Sequence, residues 1–188
     1  MTKAHAHPSD KDVDVLEALQ RVRDEAANSG LHFAGHVPPE LAWQLFRAKK
    51  AVLVDVRTPE ELSYVGRVPA AKHVVWATGV AQVRNPNFVH ELEAKVAKDA
   101  VVLFLCRSGK RSTGAAEAAT QAGYPNAFNV LEGFEGDLDE HHRRGNTDGW
   151  RNRGLPWVQD RPAPCIDRFS RELGIARNSL RTGRSTDG

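Results

Sequence analysis

Cysteine is scarce in this chain: Cys106 and Cys165 are the two among 188 residues. So small a supply excludes a disulfide framework, and a reducing compartment would keep both thiols free. Excess charge of one sign is also missing. The net charge is +2, from 26 basic and 24 acidic residues. No Lys/Arg-rich run of the usual length occurs, so nucleic acid is not an expected partner. Long hydrophobic runs are absent as well. The most apolar stretch, Val101 to Leu105, falls far short of a membrane span. The opening MTKAHAHPSD lacks the apolar core of a secretory signal. A cytoplasmic protein with no membrane partner is expected. The histidines lack zinc-type spacing, so no metal and no other cofactor is expected, and His141-His142 reads as a surface pair at a helix end. What is present is ordinary: 40% hydrophobic and 27% charged residues, the balance of a soluble globular protein. The length suits one domain with a sizeable core. Nothing in the pattern indicates an oligomeric state.

Residues 1–11 are polar and read as disordered. Asp12 or Asp14 is placed to cap a helix carrying Val15, Leu16, Leu19, Val22 and Ala26 at helical spacing and ending near Asn28-Ser29-Gly30. This helical extension, 12–36, should pack its apolar stripe on the main domain or on another subunit. Pro38-Pro39-Glu40 begins a second short helix with Leu41, Leu45 and Phe46, proline being well suited to a first turn. From Ala51 the pattern changes. Ala51 to Val54 is an unbroken, β-branched run, as in a parallel strand buried on both faces. It leads through Asp55-Val56-Arg57-Thr58-Pro59-Glu60 into a helix start. His73 to Val75 is a weaker strand candidate, and Phe88, Leu92 and Val96 mark a helix. Val101 to Leu105 is the clearest strand. An alanine-rich helix follows, with Ala115, Ala118, Ala119 and Ala122 turned inward, stopped by Gly123 and Pro125. Ala127 to Leu131 is one more strand, after which Gly133-Phe134 is expected to open a helix towards His142. This alternation predicts an α/β domain over 37–158, a three-layer arrangement with a central, mainly parallel sheet flanked by helices. Trp43, Trp76, Trp150 and Trp157 are expected to serve packing, with a place in the pocket wall left open for one of them. Residues 159–188 form a basic, arginine-rich tail, with a turn of helical spacing around Ile166 to Leu173.

The segment Cys106-Arg107-Ser108-Gly109-Lys110-Arg111-Ser112 joins the clearest strand to the alanine-rich helix. In an open α/β sheet, ligands bind at the carboxyl ends of the strands. A strand-to-helix turn there presents successive backbone N–H groups and the positive end of the helix dipole. A cysteine opening such a turn aims its sulfur into that cradle. The amides, the dipole and the cations Arg107, Lys110 and Arg111 would all favour the thiolate. Ser108 and Gly109 keep the loop small enough for close approach. Activated nucleophile and anion site then coincide, as covalent catalysis requires. Cys165, among prolines in the polar tail, has no such setting.

VVLFLCRSGKRS, with AVLVDVRTPEEL upstream and GLPW downstream, resembles the rhodanese family of sulfurtransferases from about Pro38 to Val158. The resemblance implies a rhodanese-like α/β domain in which Cys106 becomes a persulfide and the amides from Arg107 to Ser112 cradle its outer sulfur. Asp55 and Arg57 match the family's Asp-x-Arg at the end of the first strand. For Arg57 an internal ion pair and direct anion binding both remain open. Gly66-Arg67-Val68-Pro69 stands where Gly-His-Ile-Pro is common, Ala70 where Gly is frequent, and Glu132-Gly133 where Gly-Gly is common. Phosphatases of similar architecture carry a longer Cys-x5-Arg loop around a tetrahedral phosphate. Cys106 to Arg111 is Cys-x4-Arg, which suits a single sulfur atom. The implied reaction takes sulfane sulfur from a small anionic donor such as thiosulfate and passes it to cyanide or a thiol. A sulfur-accepting protein is a further candidate partner. The rival reading is a non-catalytic sulfur carrier or protein-interaction module using the same loop.

Overall fold

Two apolar runs of strand length, at 52–55 and 102–105, lie side by side in the middle of the sheet, where both faces of a strand are covered. The computed structural model describes residues 10–159. The first nine residues, the arginine-rich tail, its helical spacing around Ile166 to Leu173, and Cys165 lie outside the described residues. Along the chain the elements are α1 (Asp10–Asn28), β1 (His36–Val37), α2 (Pro39–Arg47), β2 (Val52–Asp55), α3 (Pro59–Val65) and β3 (Lys72–His73). They continue with β4 (Ala77–Thr78), β5 (Val83–Arg84), α4 (Phe88–Glu93), β6 (Val102–Leu105), α5 (Lys110–Gln121) and β7 (Ala127–Val130).

The main sheet has five strands in the order β1-β7-β6-β2-β3, and every pairing in it is parallel. In β6 all residues are buried, as a strand covered on both faces demands. Alternate side chains feed two cores. One, under α4 and α5, contains Phe104, Val54, Phe88, Leu92, Ala115, Ala116 and Ala119. The other, under α1 and α2, contains Leu103, Leu105, Leu53, Leu45, Phe128 and Trp150. The architecture is therefore α/β, a central parallel sheet with helices on both faces. Deleting a buried leucine from the middle layer would cost about 2–5 kcal/mol, so these strands anchor whatever their ends carry.

Some local features differ from the sequence reading. Helix α1 begins at Asp10, so Asp12 and Asp14 lie within it rather than capping it, and residues 10–11 are helical rather than disordered. Its Leu19 and Ala26 are buried and pack on this same chain. Helix α5 buries Ala115, Ala116 and Ala119 together with Ser112, while Ala118 and Ala122 are only partly covered. The expected helix from Gly133 to His142 does not form; the segment is a series of turns. Gly133 and Gly136 both have positive φ, +66° and +84°, which breaks helical geometry. The amides of Phe134 and Glu135 go to the carbonyls of Cys106 and Arg107 instead. The two-residue strand β1 and the antiparallel ribbon β4–β5 were not anticipated. Strands so short leave no periodicity to read.

Candidate active site

Strand β6 ends on Leu105, and the chain turns at Cys106 into α5, so the cysteine stands at the carboxyl edge of the sheet's central strand. Gly109 caps the helix with φ +85°, a left-handed conformation that glycine adopts without steric cost. Among the described residues, no protein acceptor takes a hydrogen bond from the amides between Arg107 and Ser112. These are the orphan donors of a helix start. Cys106 itself is 1% exposed, so an incoming atom must descend through the loop mouth to reach it.

The loop is held from outside. Phe134 N–H donates to the Cys106 carbonyl at 2.7 Å, and Glu135 and Gly136 N–H donate to that of Arg107 at 2.9 and 3.2 Å. Across a trans peptide C=O and N–H point in opposite directions. Fixing those carbonyls on the 133–136 turn therefore directs the Arg107 and Ser108 amides away from it. Gly133 makes this contact possible: a Cβ there would lie 2.6 Å from the Cys106 oxygen, the Arg107 carbon and the Ser108 nitrogen.

Beneath the loop, Arg57 and Asp55 form a buried pair. The guanidinium donates to both carboxylate oxygens, at 2.7 Å for Nη2–Oδ2 and 3.0 Å for Nε–Oδ1, and Nη2 also reaches the Gly66 carbonyl at 2.8 Å. It lies over the Phe134 ring, 4.0 Å from the centroid. Of the two readings left open, the internal ion pair is present in this geometry, while Nη1 is buried with no hydrogen-bond partner among the described residues. Ser112 is buried, its hydroxyl 3.1 Å from Cys106 Sγ and 2.6 Å from Asn129 Oδ1.

The loop cations divide into distinct settings. Arg111 makes a two-pronged pair with Glu61, at 2.8 and 2.6 Å, and is largely buried. Burial alone would raise the Glu61 carboxyl. The hydrogen bonds from Arg111 and from the Thr58 amide, with the charges of Arg111 and Arg57, outweigh burial and hold it below its ordinary value. Lys110 is exposed and 3.6 Å from Asp137, and Arg107 is exposed. Arg107 and Arg111 border two adjoining clefts. One, of 610 Å³, is shared with Thr58, Glu61 and Val75; the other, of 540 Å³, with Ser108, Lys110 and Arg144. Val80, at the tip of the β4–β5 ribbon, overhangs both clefts and is fully exposed.

Of the sequence-derived loop residues, Arg107, Ser108, Lys110 and Arg111 thus line the clefts. Cys106 and Ser112 are buried, and the buried Asp55–Arg57 pair, at the end of the strand beside β6, forms the floor of the site. Glu61, Asn129 and the 133–136 turn were missed. Glu61 had a signal in Thr58-x-x-Glu61, a capping box. Asn129 had one as the polar residue inside an apolar strand. Among the described residues no cluster of His, Cys, Asp and Glu could hold a metal ion. Two of the positions that depart from common family usage share a property: Ala70 and Glu132 have φ of +63° and +65°, the region where glycine is favoured. Glu132 is held there by the Gly149 N–H at 2.9 Å and an ion pair with Arg153.

A central cysteine loop on a parallel sheet defines a class, and sequence comparison identifies it: the rhodanese-like domain model matches residues 38–140, and the chain belongs to that family. An uncharacterized protein of Rickettsia conorii is 37% identical over 111 residues, 57% of this chain and 82% of its own length. The thiosulfate sulfurtransferase GlpE of Actinobacillus succinogenes is 30% identical over 120 residues, 64% of this chain and 86% of its own. Among solved structures, Rv0390 from M. tuberculosis superimposes with a TM-score of 0.62 at 47% identity, covering 68% of this chain and 99% of its own. Among the described residues no helix is long and apolar enough to cross a membrane.

Proposed function

We propose that the protein is a sulfurtransferase that carries sulfane sulfur as a persulfide on Cys106. The observation that carries this reading is the recessed Cys106 sulfur at the start of a short loop whose amides have no protein acceptor among the described residues. The similarity to a thiosulfate sulfurtransferase supports it. Cys106 thiolate attacks the outer sulfur of an anionic donor such as thiosulfate. A new S–S bond forms, the donor's S–S bond breaks, and sulfite leaves with the bonding electron pair. The loop amides hold the outer sulfur of the persulfide. Cyanide or a cellular thiol then attacks that sulfur, and the Cys106 thiolate leaves. Arg107 and Lys110 draw the donor to the mouth, while Arg111 braces the loop through Glu61. We take 37–158 as the catalytic domain and the cytoplasm as its place of work.

Intact mass after thiosulfate treatment, followed by turnover with cyanide, tests the reading. The mass of one sulfur atom should be gained on Cys106, lost on adding cyanide, and absent in Cys106→Ser. Cys165→Ser should load and turn over normally. A stable gain that no acceptor removes would make the protein a carrier, and no gain at all would overturn the proposal.

A further inference from the structure

Ser112 has one hydroxyl hydrogen and three acceptors within reach: Cys106 Sγ at 3.1 Å, the Gly109 carbonyl at 3.2 Å and Asn129 Oδ1 at 2.6 Å. Which one receives it depends on what Asn129 presents. Asn129 is 2% exposed, and its Nδ2 stands 2.9 Å from Nδ1 of His36. The two ends of an amide exchange places by a half-turn, so the partner at the far end selects the orientation.

Two arrangements satisfy the whole chain. When His36 Nδ1 is bare it accepts from Asn129 Nδ2. Oδ1 then takes the Ser112 hydrogen, and the sulfur faces an oxygen lone pair, which suits a thiol. When Nδ1 carries hydrogen it donates to Asn129 Oδ1. Nδ2 then donates to Ser112 Oγ, and the hydroxyl is free to donate to an anionic sulfur, a charge-assisted bond. No proton crosses, because an amide turns rather than relays. Only direction is transmitted.

We propose that His36, Asn129 and Ser112 are positioning residues, a directional hydrogen-bond chain that couples hydrogen on His36 Nδ1 to an anionic sulfur on Cys106. The proposal rests on Cys106 being the nucleophile and extends it to β1, which lies outside the matched family segment. The outer end is accessible: His36 is half-buried beside a 130 Å³ pocket lined by Val22, Glu25, Ala26 and Ser29 of the N-terminal segment. Glu25 is the ionisable group lining that pocket with it; Phe33 and Asn129 are its neutral neighbours. Around Cys106 the charged groups are Arg107, Lys110 and Arg111 of its own loop, Glu61 of α3, and the Asp55–Arg57 pair at the end of β2. Burial holds the His36 imidazole below its ordinary value, and the neutral ring can still place its one hydrogen on Nδ1. By linkage, an anion at the inner end raises the proton affinity of the outer end, and the reverse.

The test is a pH titration of the His36 ring by ¹⁵N NMR in the full chain, for the reduced wild type, Cys106→Ala, Ser112→Ala and the double variant. With Cys106 anionic, the wild-type ring should hold hydrogen on Nδ1 and bind its second proton about fivefold more tightly than in Cys106→Ala, the low end of ordinary coupling. Removing the Ser112 hydroxyl should erase that difference. A difference that persists without the hydroxyl would be a through-space field, and identical titrations in all four proteins would mean no coupling; either overturns the proposal. The readout needs no sulfur transfer, so failure to load sulfur from thiosulfate would count against the function and leave this measurement standing.

Discussion

The floor and the rim of the site contain the same residue types in opposite conditions. On the floor, Arg57 is fully buried, bound to Asp55 and Gly66, and stacked on Phe134. On the rim, the Lys110 side chain is 81% exposed and stands 3.6 Å from Asp137. A buried pair is costly to break because the partner left behind keeps an uncompensated charge. An exposed pair contributes little and is screened by salt. Under the proposed function, the difference assigns charge at this site two jobs, holding the loop's shape from below and drawing an anionic donor from above. Only the second should respond to ionic strength.

The sharpest break of that comparison is on the floor. Arg57→Ala should destabilise the protein by about 3–5 kcal/mol, seen as a lowered denaturation midpoint in urea with salt making little difference. A loss below about 1 kcal/mol would show that the pair is dispensable. Next comes Gly133→Ala, whose new Cβ must displace the loop backbone. Turnover should fall about 100-fold, the usual consequence of a misplaced catalytic frame, with the reduced thiol still present by mass.

Glu61 lies between floor and rim. Because its carboxyl is held below its ordinary value in the folded protein, it contributes stability that is present above the unfolded glutamate value, about 4.3, and lost as pH falls through the lower folded value. Glu61→Gln should cost about 2 kcal/mol at pH 7 and flatten the acid limb of the stability curve. An unchanged acid limb would remove the pair from the account. The smallest effect belongs to the rim. Lys110→Ala should leave stability within about 0.5 kcal/mol and raise the KM for thiosulfate a few-fold with kcat unchanged. That effect should fade at 1 M salt, where the Debye length is about 3 Å. A salt-independent loss of kcat would move Lys110 to the floor.

Much of this was legible in the sequence. The central strands were plain because continuous β-branched and apolar runs have few other uses, and the Cys106 loop was plain because its residue types and position coincide. The helix expected after Gly133 failed for a long-range reason: the amides at 134 and 135 find better fixed acceptors in a loop nearly thirty positions upstream. Asn129 and His36 could be seen only as an odd polar residue and an ordinary histidine until the parallel pairing set them opposite each other. Ala70 and Glu132 carried a hint in the other direction. Each occupies a left-handed backbone position, where a side chain costs about 1–2 kcal/mol, so a position that commonly takes glycine was announcing a conformation.

The grip of the 133–136 turn on the loop also separates two populations of backbone hydrogens. Those of Phe134, Glu135 and Gly136 are committed to fixed carbonyls, and deuterium from solvent reaches them only when the turn opens. Those from Arg107 to Ser112 have no protein acceptor among the described residues, and Arg107 and Lys110 are exposed. The time stamp of isotope uptake is therefore reversed from what the chain suggests: the turn residues, irregular in shape, keep their hydrogens, while the start of a well-formed helix gives its own up, a loss that a bound anion would slow under the proposed function.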